Sequence, residues 1–132
     1  MANAFYPKWK ETVIQGGANS SLAGTVKAVL VDTGTYTYSA AHQFLSSLTG
    51  VVGTAQTLGS KTYTSGAFDA ADTVFTALSG ASAEAIVVYI DTGVAATSQL
   101  VAYLDTGYTG LPVTPGGGDV TVVWPAGGIF AV

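Results

Sequence analysis

The sequence has no cysteine and no arginine, and its one histidine is His42. Without cysteine neither a disulfide nor a thiolate metal site can form, and the redox compartment is left open. One histidine with no cysteine argues against a zinc site. Charge is also scarce: Asp, Glu, Lys and Arg make up 9% of the 132 residues, against roughly 25% in an ordinary soluble domain. The four cations are Lys8, Lys10, Lys27 and Lys61, and the formal net charge is −4. A nucleic-acid binder needs a basic patch to neutralise phosphates, so nucleic acid is not an expected partner. Long hydrophobic runs are missing too. The longest, Ala85–Ile90, falls far short of the ~20 residues of a spanning helix. The segment from Met1 to Lys8 lacks the apolar stretch of a secretory signal, and a membrane is not expected either.

What is present is neutral and apolar. Hydrophobic residues make up 48% of the chain. Interface cores are depleted in Lys, Glu and Asp, and a weakly charged monomer is poorly soluble. The composition therefore suits a subunit that assembles, as a homodimer or homotrimer or with a partner. The competing reading is a monomer kept soluble by its Ser and Thr hydroxyls. The length is that of one domain over 1–132, long enough to bury a core without staples.

Periodicity predicts a short helix over Tyr6–Gln15, with Pro7 in its first turn and Gly16-Gly17 as its stop. Thr25–Val31 reads as a strand apolar on both faces, as in a central or interface strand. Ser39–Leu48 has an apolar stripe of Ala41, Phe44, Leu45 and Leu48, and predicts a second helix capped by Ser39. From there the pattern is β: Thr57–Thr64, Thr73–Leu78, Ala85–Ile90, Gln99–Leu104, Asp119–Trp124 and Ile129–Val132. No helix of 10–15 residues separates the later strands, which argues against parallel βαβ units. The expected class is mainly β: an antiparallel β-sandwich or barrel, jelly-roll-like in one variant, with two short α-helices in the N-terminal third.

Asp-Thr-Gly recurs three times, at Asp32-Thr33-Gly34, Asp91-Thr92-Gly93 and Asp105-Thr106-Gly107, each time directly after an apolar strand. One reading is a retropepsin-like aspartic protease, whose chemistry needs two carboxylates sharing a proton across a dimer. The other is a strand-ending turn, in which Asp bonds local N–H groups and Gly takes up positive φ. Three copies favour the turn, since a dimeric protease needs one. The second and third copies also suggest that Ala85–Ile90 and Gln99–Leu104 are an antiparallel pair.

Ser39 and His42 could be drawn as nucleophile and base, but no third group is evident, and a surface histidine explains His42 better. Asp69 and Asp72 could contribute to a Ca²⁺ site or to acid–base work, yet two side chains are few for calcium, and a loop between strands accounts for them. The Gly116-Gly117-Gly118 run lacks the lysine of a phosphate loop. No catalytic residue, metal or cofactor is expected. Tyr36 and Tyr38, two apart, face one side of an extended segment. With Phe5, Tyr6 and Trp9 near the start and Ile129, Phe130 and Val132 at the end, they are the candidate interface residues. For the two end segments, simple core packing is the equal alternative.

Five stretches, in order, carry a resemblance: Met1–Tyr6, Val29–Leu45, Gly66–Asp72, Glu84–Gly93 and Leu111–Val122. Together they resemble a family of small virion structural proteins of tailed bacteriophages, in size and character most like head decoration, or cement, proteins. The resemblance implies a β-rich, oligomeric subunit made in the bacterial host cytoplasm. It would bind the major capsid protein on the capsid exterior, bridge capsomers and stabilise the head. The alternative within that class is a tail, neck or receptor-binding component.

Overall fold

The computed structural model describes residues 3–131. Its centre is set by two apolar segments with the expected bounds, here β6 (Ala85–Ile90) and β7 (Gln99–Leu104). Every residue of both strands is buried. They pair antiparallel, with Ile86 opposite Leu104, as the spacing of the second and third Asp-Thr-Gly copies suggested. β2 (Val26–Val31) pairs antiparallel with the other edge of β6, from Val26↔Ile90 to Val31↔Ala85. β1 (Ala4–Phe5) and β3 (Val51–Thr57) complete a five-stranded antiparallel sheet in the order β1-β7-β6-β2-β3.

The fold is mainly β, and the sheets do not close into a barrel. Both faces of the central sheet are covered, which is why β2 and β6 lack an apolar–polar alternation. On one face Ala28, Leu30, Ile86 and Val88 meet Trp9, Phe68, Phe75, Val122 and Ile129. Two ribbons supply much of this cover. β4 (Ala67–Phe68) pairs with β9 (Phe130–Ala131), and β5 (Thr73–Phe75) pairs with β8 (Val120–Val122), both antiparallel. The result is a sandwich-like layering. On the opposite face Val29, Val31, Val87 and Leu100 meet Tyr6 and Tyr36, with Tyr38, Leu45 and Leu48 packed against them. A bulge shifts the β6–β7 register between Val88 and Tyr89. The extra residue, Val101, packs on the first face while its neighbour Leu100 packs on the second.

The first expected helix is present as α1 (Pro7–Ile14), with Pro7 in its first turn. The second is not. Ser39–Leu48 forms a turn followed by a single 3₁₀ turn at Leu45–Ser47. Its backbone groups are committed elsewhere: Leu45 N–H donates to Ser98 O, and Leu100 N–H donates to Gln43 O. Together with Tyr6 N–H on Val101 O, these bonds line the outer edge of β7 beyond β1. Ten residues hold a helix weakly in water, and Ser39 turns its hydroxyl onto the nearby Ala41 N–H.

The expected strand at Thr57–Thr64 lies earlier, as β3. Gly53 has φ +74° and sits in a bulge, where Leu30↔Val52 and Ala28↔Gln56 give β3 two extra residues. Past β3, Thr62 makes one bridge to Asp69. β5 stops before Ala77, whose φ is +47° and whose N–H is held by the Asp119 carboxylate. Of the expected terminal strand, Phe130 and Ala131 form β9, and Val132 lies outside the described residues.

Candidate interaction surfaces

The chain-end aromatics are core residues. Tyr6, Trp9 and Ile129 are buried, and Phe5 and Phe130 half-buried. Apolar side chains at an exposed end bury themselves on the nearest open face of the sheet, and here both ends reach the same face. Phe130 packs edge-on to Phe5 at 5.0 Å and against Phe68 at 5.3 Å, while Phe5 also meets Trp9 at 5.9 Å. Trp9 Nε1 donates to Ser20 O at 3.0 Å. Of the two readings of these ends, exposed contact element or core packing, Tyr6, Trp9 and Ile129 follow the second. Val132 lies outside the described residues.

Tyr36 and Tyr38 do share a side: both rings pack on Tyr103, at 6.4 and 5.7 Å. Tyr36 is buried and Tyr38 half-buried. Tyr38 Oη donates to Phe5 O at 2.8 Å. A hydrogen-bonded line runs from Tyr6 Oη to Tyr36 Oη, 2.8 Å away, and on to His42 Nδ1 at 2.7 Å. His42 thus belongs to a turn tied to the second core face, not to a helix surface. Burial, and then the Tyr36 bond, push the Tyr6 hydroxyl far above the ordinary tyrosine range. Burial also raises Tyr36, against a lowering contribution from the Tyr6 bond.

The Asp-Thr-Gly copies are held by local bonds in the first two and by distant side chains in all three. Asp32 Oδ1 accepts from Gly34 N–H at 2.9 Å, and Glu84 Oε1 accepts from both Thr33 N–H and Thr33 Oγ1, each at 3.0 Å. Asp91 Oδ1 accepts from Gly93 N–H at 3.1 Å, and its other oxygen meets Lys27 at 3.2 Å. Gly93, and after it Lys27, hold Asp91 below the usual carboxylate range. The Asp105 turn is held by Asn3, whose Oδ1 accepts from the Asp105 and Thr106 N–H groups. Asp69 and Asp72 likewise serve backbone: Asp69 Oδ1 accepts from Ala70 N–H, and Asp72 Oδ1 from Trp124 N–H. Among the described residues no group of three or more His, Asp and Glu gathers as a metal site would need. No helix among them is long and apolar enough to cross a membrane.

The strand ends sort these charges. Asp32 follows β2, Glu84 precedes β6 and Asp105 follows β7, and the pairings Val31↔Ala85 and Ile86↔Leu104 bring all three to one end of the sheet. A shallow hollow at this end is lined by Thr33, Tyr36, Thr37, Tyr38 and Tyr103. Burial and then the nearby Asp105 carboxylate, with Glu84 as a smaller contributor, raise the Tyr103 hydroxyl. Val51, half-exposed, lies at this end as well.

At the other end lies a feature that periodicity did not reveal. Trp9, Val13, Leu22, Ala23 and Tyr63 line a cleft of about 420 Å³ with almost wholly apolar walls. It continues across α1 to Lys10 and Ile14. Ile14 is 85% exposed, Tyr63 47% and Val13 45%. The walls are fixed by Tyr63 Oη and Lys61 Nζ, which donate to Leu22 O, and by Lys61, which also reaches Gly24 O. Lys8 is paired with Glu11 and Lys27 with Asp91, whereas Lys10 has no carboxylate partner among the described residues. Adjacent Val13 and Ile14 carried the signal: one helix cannot turn two neighbours and Trp9 all inward. No protein-family model matches the chain, and no match is found among curated proteins.

Proposed function

We propose that the chain is a structural subunit of a tailed-bacteriophage particle, bound to the outer capsid surface as a decoration or cement protein and acting by binding, not catalysis. The observation that carries this reading is the ordered resemblance of the five segments, which spans nearly the whole chain. Two of those segments are neighbours in the sheet: the strand and turn through Asp32, and β6, joined by β2–β6 pairing and by the Thr33–Glu84 bonds. The scarce charge and the apolar cleft support it further, since both suit a surface that is covered in an assembly. Contact with several sites on the major capsid protein would multiply a weak single affinity into firm attachment. The edge strand β3 offers backbone groups to which a neighbouring strand can add.

The test is binding of the purified protein to purified capsids, together with a reconstruction of the intact particle. Saturable binding at a stoichiometry matched to the capsid lattice, with the chain on the shell exterior, is the expected result. Density in the tail, the neck or a receptor-binding appendage would replace the capsid reading with the alternative virion role. Peptide cleavage that is blocked by pepstatin and abolished by Asp32→Asn would refute the binding-only role.

A further inference from the structure

Two gaps join three polar groups on the second core face: Tyr6 Oη to Tyr36 Oη at 2.8 Å, and Tyr36 Oη to His42 Nδ1 at 2.7 Å. Tyr6 is 0% exposed and Tyr36 2%, and Tyr36 is the one partner of the Tyr6 hydroxyl among the described residues. With a bare Nδ1 each gap holds one proton: Tyr6 donates to Tyr36, and Tyr36 donates to His42. The line thus selects the neutral ring that carries its proton on Nε2. A further proton on Nδ1 puts three protons into two gaps. If the ring stays and donates to Tyr36, one hydroxyl proton has no acceptor. If the half-buried ring turns out to water instead, the Tyr36 proton is the one left over. Burial keeps water from standing in, so the docked arrangement tolerates neutral His42 and resists the protonated form.

His42 sits on the segment that stands in place of the second expected helix. That segment is docked by few bonds: Leu45 N–H on Ser98 O, Ser46 N–H on Ala95 O and Leu100 N–H on Gln43 O, with Leu45 and Leu48 packed on the second face. We propose that His42 is a proton-operated latch: neutral, it holds Ser39–Leu48 on the edge of β7, and protonated, it lets that segment go. Imidazole is the one ordinary side chain that changes charge between pH 5 and 8, and this chain has one histidine. The other titratable groups around the line are tyrosines. Tyr38 packs on Tyr6 at 5.0 Å, and Tyr103 of β7 packs on Tyr36 and Tyr38. Asp105 and Glu84 act on Tyr103, and the Asp32 carbonyl accepts from Tyr36 N–H. Negative charge there eases proton uptake by the ring, yet it gives the displaced hydroxyl proton no acceptor, because Asp32 and Glu84 serve the turn at Thr33 and Gly34. Release bares the β7 edge from Ser98 to Leu100. The latch belongs to the chain alone and does not rest on the capsid reading.

The experiment is NMR on the full chain between about pH 8 and pH 4.5, where imidazole takes up its proton. Ring nitrogen shifts of the single histidine give its tautomer and its titration. Amide hydrogen exchange, expressed as protection factors to remove the intrinsic pH dependence, gives the opening of the segment. At pH 8 the ring is expected to carry its proton on Nε2. As it titrates, the Leu45 and Leu100 amides should lose about tenfold in protection, the effect of one orphaned buried hydroxyl. The amides of β6 should keep theirs, because the sheet itself stays folded. His42→Asn offers an acceptor oxygen that takes no proton, and its protection at Leu45 and Leu100 should be level across the range. A ring protonated on Nδ1 at pH 8 overturns the proposal, as does a ring still neutral at pH 4.5. So does protection that stays level while the ring titrates, or that falls equally in β6. An equal fall in folded His42→Asn assigns the effect to another group and overturns it as well. The wild-type measurements decide the matter if that variant does not fold.

Discussion

The line from Tyr6 through Tyr36 to His42 makes a quantitative claim about the second core face. With His42 Nδ1 as acceptor, Tyr36 donates to it and accepts from Tyr6. The Tyr6 side chain is fully buried, and its Oη lies 2.8 Å from Tyr36 Oη. Tyr36→Phe leaves that hydroxyl with no acceptor and no water, a cost of about 1–3 kcal/mol, while His42 is accessible enough to find water. Tyr6→Phe removes the orphan instead and costs only about 1 kcal/mol, the net worth of one bond. The double variant should therefore be less destabilised than the sum of the two, by on the order of 1–2 kcal/mol, and no worse than Tyr36→Phe alone. Urea unfolding of the four proteins measures this. With an m-value of about 2 kcal/mol/M, a loss of about 2 kcal/mol moves the midpoint by about 1 M. Strict additivity, or a Tyr36→Phe midpoint within error of the wild type, would falsify the claim that the buried hydroxyl depends on Tyr36.

Three further outcomes are expected. Burial holds Tyr6 protonated well above the ordinary tyrosine value of 10.0, so its stabilising contribution is present below pH 10 and is lost as pH rises further. The loss is about 1.4 kcal/mol per pH unit for Tyr6 alone. Urea midpoints between pH 9 and 11.5 should fall more steeply for the wild type than for Tyr6→Phe, and equal slopes would count against the burial argument. Asp91 is held below the carboxylate value of 3.8, so its contribution is complete above that value and fades as pH falls through it. The stability gap between wild type and Asp91→Asn should shrink between pH 5 and 2, and a gap constant across that range would contradict the Gly93 and Lys27 contacts. Gly110 has φ +109°, and a Cβ there would lie 2.9 Å from the Thr121 carbonyl. Gly110→Ala should cost about 2 kcal/mol or more by thermal unfolding, and a neutral substitution would refute the close approach.

Local pattern was sufficient where one segment carried the whole signal. Ala85–Ile90 and Gln99–Leu104 are apolar throughout and bounded by turn residues, and both strands begin and end as read. The strand at Val26–Val31 is apolar on both faces because both faces are covered. Pro7 and Gly16-Gly17 bracket α1. The Asp-Thr-Gly copies are legible as turns because the bonds from Gly34 to Asp32 and from Gly93 to Asp91 span two residues.

What the sequence determined alone was thus the β class, the main strands and the poverty of charge. Tertiary structure decided everything that depends on a partner distant along the chain. Ser39–Leu48 has a helical stripe, but the edge of β7 takes its backbone groups. Val51–Thr57 becomes a strand by pairing with β2, across a bulge that holds Gly53. Phe5 and Phe130 look like two loose ends until they meet across one face of the core. The gathering of Asp32, Glu84 and Asp105 at one end of the sheet is invisible in a charge count, because it arises only when strand pairing brings them level. Periodicity reports which way a side chain points from its own backbone, and only the fold says what stands opposite.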